Sequence, residues 1–148
     1  MNKYDMILEG KIVVIRNFVF EDGKLDHAWN TGRICLVVYA DDNYEYVLPI
    51  THAIKDNCEY HHFYIDKSSF LDFYSSRYKE KSIKHKKKDS KNNQDVCGYI
   101  NIKKLYKFPV AYRDEIGKLN YDCFKKILSK LHYFHDTKSI EELISKSI

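Results

Sequence analysis

Little in this sequence bends or staples a chain. Among 148 residues there are 5 Gly and 2 Pro, which excludes a collagen-like repeat and a Gly-rich linker protein. The four cysteines, Cys35, Cys58, Cys97 and Cys123, lie far apart, with no Cys-x-x-Cys pair. That spacing excludes a dithiol redox motif and makes free thiols in a reducing compartment the expectation. The longest apolar run, Ile34 to Ala40, falls far short of the roughly 20 residues that a membrane helix needs. Asp5 and Glu9 interrupt the N-terminal apolar stretch, so no signal peptide is expected and the cytoplasm is the expected compartment.

What is present suits one globular domain spanning residues 1–148, long enough to bury roughly 68–70% of its unfolded surface without a metal or disulfide. A hydrophobic content of 44% excludes wholesale disorder. Lys+Arg 25 against Asp+Glu 21 leaves a net charge of +4, a mild bias toward an anionic partner. The surplus is aromatic: 13 Tyr, 8 Phe and 1 Trp make up 15% of the chain, more than a small core requires.

The first half reads as strands. Ile12 to Ile15 is apolar and β-branched, with the pattern continuing through Asn17 to Phe20 before Glu21-Asp22-Gly23-Lys24 breaks it. Ile34 to Tyr39 has the composition of a buried strand. Asp41-Asp42-Asn43 is turn chemistry, and Tyr44 to Leu48 returns as a partner strand ended by Pro49. Tyr60 to Ile65, Val96 to Ile102 and Tyr106 to Val110 are further strand candidates. Lys67 to Tyr78 reads as a short helix capped by Ser68 or Ser69. Residues 79–95 carry Lys79, Lys81, Lys84, Lys86, Lys87, Lys88 and Lys91 with Ile83 as nearly the sole apolar side chain, a loop that cannot bury itself. Residues 119–148 are helical: Cys123, Phe124, Ile127, Leu128, Leu131 and Phe134 share one face, and Ser139 with Glu142 forms a capping box before Ile140, Leu143 and Ile144. The expected fold is α+β: a small, SH3-like, strongly bent antiparallel β-barrel decorated with helices, with a helical C-terminus.

Thr51, His52 and Lys55 follow the end of a buried strand, where a rigid scaffold meets solvent. Arg33 opens the other strand of the same hairpin, so antiparallel pairing sets it beside Thr51 although the two are 18 positions apart. Guanidinium, hydroxyl, imidazole and ammonium together suit phosphate binding and phosphoryl transfer. Each also has an ordinary reading: Thr51 as a turn cap, His52 as a surface side chain. Lys84, Lys86, Lys87 and Lys88 read either as phosphate contacts or as a solvated linker. Trp29, Tyr44, Tyr46, Tyr60, Phe63 and Tyr64 are candidates to stack unpaired bases, with about half of the strand positions facing the core. Cys58, His61 and His62, with His52 nearby, hold half of a zinc spacing that no second pair completes, and neither a metal nor a cofactor is expected. Adjacent strand positions set His61 and His62 on opposite faces.

Gly32-Arg33-Ile34-Cys35-Leu36-Val37-Val38 followed by Val47-Leu48-Pro49-Ile50-Thr51 resembles the PemK/MazF/Kid toxins. With Gly98-Tyr99-Ile100-Asn101 and Phe108-Pro109-Val110 further on, the pattern is similar to the ToxN/AbiQ/CptN branch, the toxins of type III toxin–antitoxin systems. The resemblance runs from Gly10 to Val110. It implies a metal-independent endoribonuclease in which the substrate's 2′-hydroxyl attacks the adjacent phosphate, giving 2′,3′-cyclic phosphate and 5′-hydroxyl ends. Thr51 matches the family threonine and Arg33 the family arginine. His52 stands where a serine is usual, and Lys55 falls one residue later than the family lysine. The expected roles are His52 as acid or base, Lys55 and Arg33 as phosphate stabilisers, and Thr51 as an orienting donor. The resemblance implies further a small structured antitoxin RNA, processed from a repeat precursor, and a closed ring of toxin and RNA, with cellular mRNA as substrate. Alternatives are a MazF-type toxin with a protein antitoxin and a non-catalytic RNA- or protein-binding SH3-like module.

Overall fold

The computed structural model describes residues 9–16, 32–51, 61–73 and 97–147. Among these residues are eight strands: β1 (Lys11–Ile15), β2 (Arg33–Ala40), β3 (Tyr44–Thr51), β4 (His62–Asp66), β5 (Phe70–Phe73), β6 (Cys97–Asn101), β7 (Tyr106–Pro109) and β8 (Glu115–Leu119). Two helices follow, α1 (Tyr121–His135) and α2 (Ile140–Ser147). Seven strands run in the order β4-β6-β3-β2-β1-β8-β5, every pairing antiparallel, and β7 joins β3 off that path. The sheet curls into a half-barrel, helped by register breaks between Val37 and Tyr39 and between Ile12 and Val13, where a bulge increases local twist. The α+β expectation, with a bent antiparallel sheet and a helical C-terminus, holds.

Ile12 to Ile15 of β1 and the middle of β2 are continuous apolar runs because the sheet is buried on both faces there. One face carries the larger core, where Ile12, Leu36, Val38, Leu48, Ile65 and Ile100 meet Cys123, Ile127 and Leu131 of α1 and Leu143 of α2. The other carries a smaller cluster of Val13, Ile15, Cys35, Val37 and Val47, with Tyr106 and Phe108 of β7 packed against it.

The helix α1 starts at Asn120, whose side-chain oxygen accepts from the Cys123 N–H at 2.8 Å, and its last turn closes over Asp136 in the left-handed region (φ 53°). Lys130 donates to the His62 carbonyl at 2.8 Å and ties the helix to β4. Ile127, Leu131 and Leu143 are fully buried. At about 1.5–3 kcal/mol each, they outweigh that single bond in docking the helices. Burial of Cys123 against the sheet pushes its thiol up, and it and Cys35 are free, buried thiols.

Three sequence expectations are corrected. Phe70–Phe73 is a strand, not a helix: a 3-10 turn at Lys67–Ser69 delivers it onto β8. The serines serve that turn, Ser69 Oγ accepting from the Asp66 N–H at 3.2 Å and the Ser68 N–H donating to Asp66 Oδ1 at 3.0 Å. Pro49 does not end β3, which runs on to Thr51. On its outer edge β3 pairs with β7 from Tyr44 to Val47 and with β6 at Ile50 and Thr51, so Pro49, lacking an N–H, sits in the gap between two partners. His61 and His62 do not diverge. His61 precedes β4, and the two rings lie 4.6 Å apart.

Candidate functional site

The β2–β3 hairpin is closed by Asp41, whose carboxylate accepts from the Asn43 and Tyr44 N–H groups at 2.8 and 2.7 Å. Those bonds, Tyr44's first, hold the Asp41 carboxyl below the ordinary carboxylate range. Past the bulge the register pairs Val37 with Val47, Leu36 with Leu48 and Cys35 with Pro49, where the β2–β3 ladder ends two residues short of Arg33 and of Thr51. Arg33 Nη1 donates to the Ile50 carbonyl at 3.1 Å, folding the guanidinium over the last residues of β3.

Two glycines make the approach feasible. Gly32, at φ +95°, turns the chain into β2 immediately before Arg33, and a Cβ there would collide with the Val14 side chain. Gly98 lets β6 lie close against the end of β3: a Cβ would come within 2.8 Å of Ile50 Cγ2 and 3.3 Å of the Thr51 carbonyl. Thr51 then pairs with Tyr99, and Tyr99 with Tyr64 of β4. Residues directly opposite one another share a face. Ile15 pairs with Arg33 on the other side and belongs to the smaller cluster, so the row Arg33, Thr51, Tyr99, Tyr64 lies on the face opposite the helices. The Tyr64 and Tyr99 rings are 5.2 Å apart, and Tyr64 is 41% exposed.

Arg33 thus reaches the backbone of the residue before Thr51. His52, Lys55, Trp29, Tyr60, Cys58, Lys84, Lys86, Lys87, Lys88 and the rest of the 79–95 segment lie outside the described residues. Tyr46 is corrected: it is 6% exposed, in the larger core with its ring against Tyr39, and is not available to stack a base. Phe63 also packs against that core. Tyr44 is exposed, with Lys107 Nζ 4.0 Å from its ring centroid, but it opens β3 while Thr51 ends it. Seven residue steps at about 3.4 Å each separate the two, so Tyr44 is remote from Arg33. Among the described residues no three His, Cys, Asp or Glu side chains converge as a metal-binding group. No helix of the described residues is long and apolar enough to cross a membrane.

Tyr99 is the position that residue-level reading missed. It lay inside the Gly98-Tyr99-Ile100-Asn101 motif, but only the register reveals that it faces Thr51. Other motif residues shape the backbone: Asn101 Oδ1 accepts from the Lys103 N–H at 2.9 Å, and Pro109 pairs with Tyr44. No protein-family model matches the chain, and no curated protein matches it.

Proposed function

We propose that this chain is a metal-independent endoribonuclease, the toxin of a type III toxin–antitoxin system. The observation that carries the reading is the Arg33 guanidinium held at the end of β3, 3.1 Å from the carbonyl of Ile50, the residue before Thr51. A fixed guanidinium beside a hydroxyl suits a phosphate whose charge grows as it becomes five-coordinate. The substrate's 2′-oxygen attacks the adjacent phosphorus while its proton passes to a base. The bond to the 5′-oxygen breaks, and that oxygen takes a proton from an acid, leaving a 2′,3′-cyclic phosphate and a 5′-hydroxyl. His52, next after Thr51, is assigned one of the proton transfers, and Lys55 assists Arg33. The resemblance to the ToxN/AbiQ/CptN branch supplies the partners: an antitoxin RNA in a closed ring with the toxin, and cellular mRNA as substrate, in the cytoplasm.

Purified protein, incubated with single-stranded RNA in the presence of a chelator, is expected to leave cyclic-phosphate ends. Arg33→Ala and Thr51→Ala are expected to stay folded and lose cleavage. Full activity in both would overturn the assignment, and no cleavage by the wild type would leave a non-catalytic binding module. Material purified from its native operon is expected to carry RNA, read from its 260/280 absorbance ratio. A protein-like ratio with a co-purifying acidic protein would favour a MazF-type pairing instead.

A further inference from the structure

The row that begins at Arg33 does not stop at Thr51. Its next two members are aromatic, lie on neighbouring strands of the same face, and touch each other at 5.2 Å between ring centroids. Tyr99 is half-buried between Thr51 and Tyr64, whereas Tyr64, on the outermost strand of the path, is 41% exposed. One inner ring propped against one outer ring makes a ledge at the sheet edge. Adjacent strands are about 4.8 Å apart, so the ledge begins one strand spacing from Thr51 and ends two away, roughly 5–10 Å. That is the reach from a backbone phosphate to the base that the same nucleotide carries.

We propose that Tyr99 and Tyr64 are the base-stacking platform of this site, holding an unpaired base while its phosphate lies at Arg33 and Thr51. The proposal rests on the ribonuclease reading and deepens it by naming the side chains that would hold an unpaired base of the strand by its π-face. Aromatic rings take any base in this way, so the platform positions the strand without choosing its sequence. A duplex is refused because its bases are already stacked on each other. A protein partner fits less well. Tyr64 is the one large apolar side chain exposed on β4 or β6 among the described residues, which form no broad apolar patch around it.

The test uses the full chain and a short 2′-O-methyl oligoribonucleotide, which cannot be cut because the attacking hydroxyl is blocked. Its abasic counterpart keeps the backbone, and its duplex keeps the bases but hides their faces. By fluorescence anisotropy the base-bearing single strand is expected to bind roughly 5- to 150-fold tighter than the abasic strand, the range of one stacked base. Tyr64→Ala is expected to lose most of that ratio and Tyr64→Phe to keep it, with the salt dependence of binding, which counts phosphate contacts, unchanged. Equal binding of the abasic strand, equal binding of the duplex, or an unaltered ratio in Tyr64→Ala would each overturn the platform. The abasic comparison on wild-type protein stands even where a variant fails to fold. Cleavage of ordinary RNA, run in parallel, separates the two readings. A chain that prefers bases but cuts nothing keeps the platform and loses the nuclease, and a chain that cuts while ignoring bases does the reverse.

Discussion

Gly98 of β6 lies so close to Ile50 of β3 that a methyl group on its α-carbon would come within 2.8 Å of Ile50 Cγ2. Gly98→Ala therefore forces the Ile50 side chain or the β6 backbone to shift, beside the position where Thr51 pairs with Tyr99. Overpacking of this kind costs about 1–3 kcal/mol. Thermal unfolding should show that loss. Under the proposed ribonuclease activity, RNA cleavage measured well below the melting temperature should fall further than the loss of folded protein explains, because the surroundings of Thr51 are disturbed.

Gly32→Ala should destabilise through its backbone. The φ of +95° lies where L side chains are strained, and the added carbon meets the Val14 side chain. Such strained positions cost of order 1–3 kcal/mol. A lower denaturation midpoint is the expected reading, with the hairpin start at Arg33 the first part to lose amide protection in hydrogen exchange.

Arg113 donates through Nε to Glu45 Oε2 at 2.6 Å, and Glu45 is 2% exposed. Arg113→Ala strands a buried carboxylate and should cost about 3–5 kcal/mol. Replacing both partners, as in Glu45→Leu with Arg113→Met, should be much milder. Urea titration of the single and double variants checks the pair, and a harmless Arg113→Ala would refute it.

The His61 imidazole is held below its ordinary pKa, first by burial, then by its neighbours His62 and Lys103. The unfolded chain takes up that proton more readily than the folded one. Stability is then complete above the unfolded value near 6.5 and falls as the pH drops through it toward the lower folded value. Denaturation midpoints at pH 8 and pH 5.5 should differ less in His61→Gln than in the wild type.

Asn120→Ala removes the cap that accepts from the Cys123 N–H and the donor that reaches the Ser68 carbonyl at 2.9 Å. A lost cap costs about 0.5–2 kcal/mol. The loss should appear in the melting temperature, with Asn120→Asp closer to the wild type, since it keeps the accepting oxygen.

Elements with local signals were legible in the sequence. The hairpin was readable because Ile34 to Tyr39 and Tyr44 to Leu48 flank an Asp-rich turn, and its geometry alone set Arg33 near Thr51. The C-terminal helices were readable from apolar spacing and from Ser139, whose Oγ accepts from the Glu142 N–H at 3.2 Å. Glu115–Leu119 was not readable: it carries two charges and a glycine, and becomes a strand by pairing with β1 and β5. Phe70–Phe73 imitated a helix because two serines preceding closely spaced apolar residues look like a cap. Tyr46 shows the limit for the site. Pattern identifies an aromatic residue in a strand, but the face is settled by register, and here register turned Tyr46 inward and Tyr64 outward.

Lys11 of β1 and Glu115 of β8 are 2.9 Å apart in space and 104 residues apart in the chain. A sheet joined over such separations gains its last pairings late and folds slowly for its size. On the ribosome the Arg33–Thr51 hairpin can form early, whereas the outer edge of β1 stays open until β8 emerges. A chain cut short before Glu115 keeps the hairpin but leaves that edge exposed, and should self-associate through it.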